Sequence, residues 1–110
     1  MGALLDVSIE KIDDQNNRRM KIQAQDWELN VYLSEQELSA LDHIRFADWN
    51  MRQSIRAGVS ANASVFWAYD KDNGMVSILV GHDDETWDIA VMLPLAELMP
   101  AITSARHQEG

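Results

Sequence analysis

The sequence predicts an α+β domain: an antiparallel sheet of five or six strands, one helix inserted after the early strands and one helix at the C-terminus. Three observations carry this. Apolar and polar residues alternate in several short runs, the pattern of half-buried strands. Short turn-forming segments join those runs, where parallel strands would need long helical crossovers. Apolar residues at helical spacing occur twice, after Ser34 and after Pro94. The helices are expected on one face of the sheet, leaving the other partly open.

Leu5, Val7 and Ile9 alternate with Asp6, Ser8 and Glu10, which reads as a strand. Asp13-Asp-Gln-Asn-Asn17 is turn chemistry, because these side chains hydrogen-bond nearby backbone. A second strand resumes over Met20, Ile22 and Ala24. In the third, Trp27, Leu29, Val31 and Leu33 share a face, which assigns Trp27 to the core. Ser34-Glu-Gln-Glu37 fits a capping box, in which the Ser hydroxyl caps the third helical amide and Glu reaches back. Leu38, Leu41 and Ile44 follow at helical spacing, predicting a helix from about 35 to 45. Residues 46–60 stay open: Trp49, Met51, Gln53, Ile55 and Ala57 suit a strand or an extended helix, and Gly58 ends either. Val65-Phe-Trp-Ala-Tyr69 and Met75-Val-Ser-Ile-Leu-Val80 form a hairpin around Asn73-Gly74. Trp87, Ile89, Val91 and Leu93 share a face of the last strand, so Trp87 is also assigned to the core. Pro94 suits the first position of a helix carrying Leu95, Leu98, Met99 and Ile102. Pro100 must kink or split it. Residues 106–110 read as a frayed tail.

A chain of 110 residues is one domain, and burying about two-thirds of its unfolded surface suffices for a self-sufficient core. Eighteen Asp and Glu against nine Lys and Arg give a net charge of −9. Such a surface repels phosphate backbones and anionic lipid, and attracts a basic protein partner. With no cysteine, disulfides, thiolate catalysis and cysteine-based metal sites are excluded. The N-terminus MGALLDVSIEKIDD lacks a basic flank and a long apolar run, so it is not a signal peptide. Asp6 breaks the myristoylation pattern, and no stretch is long and apolar enough to span a bilayer. A cytoplasmic location is the expectation.

The densest polar cluster is Gly81-His-Asp-Asp-Glu-Thr-Trp-Asp88. Calcium loops space their ligands at alternate positions around a Gly, and this contiguous run does not. A general acid here would need one carboxylate in an apolar pocket with a raised pKa. His43, His82 and His107 lie far apart, and none has the i, i+4 spacing that brings two imidazoles onto one metal. No nucleophile elbow or phosphate-cradling Gly loop exists. The chain is therefore expected to be no enzyme and to carry no cofactor or metal. Recognition remains. Phe66 and Trp67 must face opposite sides of their strand, so one points away from the helix-covered core. Trp49 stands among polar residues. Aromatic anchors ringed by carboxylates suit a basic partner. The candidate binding residues are Trp49, Trp67, Asp70, Asp72, Asp83, Asp84, Glu85 and Asp88, with Asp48 on the rim. The 70–74 and 81–86 turns fall at opposite ends of one strand, so their acids need not form one patch.

In size, charge and strand-rich layout the chain resembles small bacterial immunity proteins, the inhibitors that neutralise a cognate toxin domain delivered between competing cells. The resemblance spans the whole chain at class level and carries no residue assignments. It implies tight binding to a basic toxin domain. Three rival classes stand beside it: a nucleic-acid mimic, whose acidic stripe Arg45, Arg52 and Arg56 would interrupt; a small-molecule binder using the open sheet face; and a structural homodimer pairing through an apolar sheet face or an edge strand.

Overall fold

A computed structural model describes residues 5–107. Seven strands form one antiparallel sheet whose spatial order follows the sequence. They are β1 (Leu5–Lys11), β2 (Arg18–Ala24), β3 (Glu28–Leu33), β4 (Ile55–Ser60), β5 (Ala63–Asp70), β6 (Met75–Gly81) and β7 (Trp87–Pro94). Helix α1 (Glu35–Leu41) lies between β3 and β4, and α2 (Leu95–His107) follows β7. The predicted α+β antiparallel architecture holds, with seven strands in place of five or six.

The undecided 46–60 segment supplies β4. Gly58 does not end this strand but sits inside it, at φ +88°. Pairing with β5 shifts register between Arg56 and Val59. A Cβ at Gly58 would lie 2.7 Å from both Leu33 Cδ2 and Val31 Cγ1 and 2.8 Å from Tyr32 O. Glycine is thus what lets β4 bend close against β3. The capping box forms as read: Glu37 N donates to Ser34 Oγ at 3.1 Å, and Ser34 N donates to Glu37 Oε1 at 2.8 Å. Its second carboxylate oxygen accepts from Gly58 N at 2.9 Å, tying α1 to the irregular stretch of β4.

One core lies on the helix-covered face. Met20, Ile22, Leu29, Val31, Val65, Trp67, Val76, Ile78 and Leu93 pack there with Leu38 and Leu41 of α1 and Leu98, Ile102 and Ala105 of α2. Helix α2 packs against both edge strands, β1 and β7. Six interstrand steps of about 4.8 Å would set the edges of a flat sheet roughly 29 Å apart. The 13-residue helix is only about 20 Å long. The sheet therefore curls around α2, consistent with a radius of gyration of 13.2 Å against about 13 Å for a compact chain of this length.

Several local expectations are corrected. Helix α1 stops at Leu41, because Asp42 N and His43 N bond carbonyls three residues back, tightening the chain into a 3-10 turn over Ile44–Phe46. Ile44 still reaches the core. Pro94 closes β7 instead of opening α2, and α2 runs unbroken through Pro100. Pro100 is exposed, so water can serve the carbonyl its missing amide leaves free. Residues 106 and 107 belong to α2, where Arg106 pairs with Asp42; the rest of the expected tail, 108–110, lies outside the described residues. Trp27 and Trp87 are 37% and 38% exposed, not core. Trp27 falls in the turn before β3, where Ala24 N donates to its carbonyl, and Trp87 opens β7 at its far end.

Candidate functional site

Trp67 is a correction of another kind. It is completely buried, pairs with Ile55 and Ile78 across the sheet, and donates Nε1–H to Ala57 O at 2.8 Å. It is a core residue and offers no surface to a partner. Phe66 is the aromatic that points to the other face. There it pairs with Leu79, and both are buried along with Ala68, although the helices lie on the opposite side.

What covers this second face is built from two loops. The first leaves the 3-10 turn at Phe46 and is pinned to β5, with Tyr69 N donating to Ala47 O at 2.8 Å. Strand β4 pairs with β5 only as far as Trp67, so this pairing occupies the part of β5 that β4 leaves free. A second 3-10 turn follows over Trp49–Met51, capped by Asp48 Oδ1 accepting from Asn50 N at 3.0 Å. The second loop is the GHDDETWD turn. A Cβ at Gly81 would sit 2.4 Å from Trp87 Cα and 2.8 Å from Thr86 O. Gly81 pairs with Ser64 on the Phe66–Leu79 side, so the missing side chain lets the turn fold over that face.

The two loops meet edge to face. The Trp49 and Trp87 rings are T-shaped, 6.4 Å between centroids, a favourable aromatic geometry. The Arg52 guanidinium lies 5.0 Å above the Trp49 ring and reaches Glu85 at 3.7 Å. Ser54 Oγ donates to Asp84 Oδ2 at 2.9 Å, and Asn50 Nδ2 donates to Asp72 Oδ2 at 3.3 Å. Residues 49–54 thus touch both acidic turns, and the two clusters that strand geometry sets apart are bridged. Arg52 holds φ +59°, a left-handed conformation uncommon for a side chain of its size.

The acids divide into scaffold and surface. Asp83 Oδ1 accepts from Glu85 N at 2.8 Å, Thr86 N at 2.7 Å and Thr86 Oγ1 at 2.8 Å. The Glu85 amide foremost, then the Thr86 hydroxyl, hold its carboxyl below the usual aspartate range. That direction is opposite to the raised pKa a general acid needs. Asp70 Oδ1 similarly accepts from Asp72 N at 3.0 Å, making it a turn former. Asp72, Glu85 and Asp88 are exposed and free of backbone duties among the described bonds. With the partly exposed Trp49 and Trp87, they are among the side chains that reach solvent here. Trp87 was missed as a candidate because alternation along β7 groups it with core residues. The only sequence signal for it was its place beside Asp84, Glu85 and Asp88.

Among the described residues, no three His, Cys, Asp or Glu side chains gather as a metal site, and no helix is long and apolar enough to cross a membrane. A hollow of about 310 Å³ lies beside α1 and the end of α2, lined by Glu35, Gln36, Leu38, Ser39 and Arg106. Leu38 is the one apolar side chain among these five, whereas small-molecule sites are lined predominantly by apolar and aromatic side chains. No protein-family model, curated protein or solved structure matches this chain.

Proposed function

We propose that this chain is a non-enzymatic protein-binding domain that holds a basic partner on the Trp49–Trp87 face, most concretely an immunity-type inhibitor neutralising a basic toxin domain. The observation that carries the reading is the half-exposed Trp49–Trp87 pair with Asp72, Glu85 and Asp88 exposed around it. Aromatic anchors supply contact area at low entropic cost, and the surrounding carboxylates steer a cationic surface onto them. The net charge of −9 strengthens that steering over the whole approach. Met51, 67% exposed, adds a flexible apolar contact on the same loop.

The test is capture on the full-length tagged chain, followed by titration of the purified partner and assay of its own activity. A basic protein should bind one to one and lose its toxicity or catalysis when bound. Its affinity should fall steeply between about 0.1 and 1 M salt, where the screening length shrinks from about 10 to 3 Å. Trp49→Ala and the pair Glu85→Lys, Asp88→Lys should each weaken binding by at least about tenfold, or 1.4 kcal/mol. Asp83 is left intact because reversing it would unmake the turn. Binding that ignores salt and these substitutions, or a bound partner that stays active, would sink the proposal.

A further inference from the structure

Strand β7 is an edge that the fold leaves open. No described strand pairs with its outer side, and α2, which touches both edge strands, lies more extensively against β1 than against β7. Proteins usually guard such edges with charges, bulges or covering elements, because unpaired amides and carbonyls template further strands. The opposite edge, β1, is guarded in this way: it carries Asp6, Glu10 and Lys11, and α2 lies against it. Across its eight residues β7 has one charge, Asp88, at the register shift beside Gly81. Apart from Asp88, its exposed side chains are apolar, and they lie on both faces. Ile89, paired with Val80, lies on the core side and is 44% exposed. Met92, paired with Ser77, lies on the other side and is 53% exposed.

We infer that the outer edge of β7 pairs antiparallel with β7 of a second copy of this chain. An occupant must supply backbone hydrogen bonds and apolar side chains on both faces, which β7 itself does. Charge selects this surface for self-association. Two bodies of net charge −9 repel, and they can meet at low cost only where carboxylates are sparse. A two-fold centred on Ala90 sets Ile89 opposite Val91 of the second copy and Asp88 opposite its Met92, so no carboxylate faces another. The two sheets then continue as one, with both Trp49–Trp87 faces on the same side. Trp87 and Asp88 belong both to this strand and to the proposed partner face, so the two readings share these residues and are told apart by the sign of their salt response.

Light scattering of the full chain from about 1 to 100 µM, a range centred on micromolar association, reads the outcome directly. The mass should approach twice 12.5 kDa at the upper end, and the transition should shift to lower protein concentration as salt is added. That salt response is opposite in sign to the one expected for a basic partner, which separates the two readings. Hydrogen exchange should show concentration-dependent protection of alternate amides within 87–92. Ile89→Lys with Met92→Lys alters two exposed sites and should keep the mass at 12.5 kDa throughout, with unchanged circular dichroism. A monomeric wild type at 100 µM, a doubled mass that survives both lysines with no protection of 87–92, or protection that appears only on adding a foreign protein would each overturn the inference.

Discussion

A missing side chain shapes the candidate face more than any present one. At Gly81 a methyl group would collide with the Trp87 backbone, so the 82–86 turn folds across the sheet only because that position is bare. Gly81→Ala should release the turn, separate the Trp49–Trp87 pair and cost roughly 1–3 kcal/mol, in the range of other overpacking substitutions. Denaturant unfolding gives the loss, and near-ultraviolet circular dichroism reports the indole pair. An unchanged spectrum with unchanged stability would show that the close approach is unimportant. Gly58 differs in that its positive φ adds backbone strain to the steric conflict, so its replacement should reach the core through Val31 and Leu33. The acids teach a similar lesson: Asp70 and Asp83 look like their neighbours in composition but spend their oxygens on turn amides.

Helix α2 carries an element-scale conflict, since Pro100 stands in its interior with apolar residues at helical spacing on both sides. The inward Leu98 and Ile102 hold the helix together by burial, which outweighs one lost backbone bond. Pro100→Ala should therefore stabilise the protein, by about 1–3 kcal/mol, and raise the melting temperature without moving the fold. A neutral or destabilised variant would mean that the proline ring itself packs usefully. In α1 the capping box has a second duty. Burial pushes the Glu37 carboxyl up, but hydrogen bonds from the Ser34 and Gly58 amides outweigh this and hold it below the usual range.

At the scale of the molecule, those depressed carboxylates set the response to acid. Asp13 is lowered foremost by the Asn17 side chain, Glu28 by the Asn30 side chain and Asp83 by the Glu85 amide. A group with a depressed folded pKa binds protons less readily when folded. Its contribution is fully present above the unfolded values of about 3.9 for Asp and 4.3 for Glu, and is lost as pH falls through the lower folded values. Stability measured in urea should accordingly be flat near pH 6 and fall below about pH 4, with Glu37→Gln showing a shallower fall. A variant with the wild-type pH profile would remove Glu37 from this account.

The sequence by itself determined the class of fold, the capping box at Ser34 and Glu37, the meander of short strands and the acid-rich turns. These are local properties, set by side-chain alternation, turn chemistry and caps within a few residues. Only the tertiary structure decided which aromatics are buried. Alternation says that Trp87 shares a face with Leu93, but the register shift beside Gly81 breaks the alternation at Asp88 and sets Trp87 opposite Gly81, on the Phe66–Leu79 side. Parity likewise sets Phe66 and Trp67 on opposite sides without saying which side the helices take. The 46–60 segment stayed ambiguous because its apolar spacing suits two periods; bonds to β5 resolved it by giving Ala47 and Asp48 the free stretch of that strand. The Trp49–Trp87 face joins residues 38 positions apart, and it exists because Gly81 admits a turn that no local pattern requires.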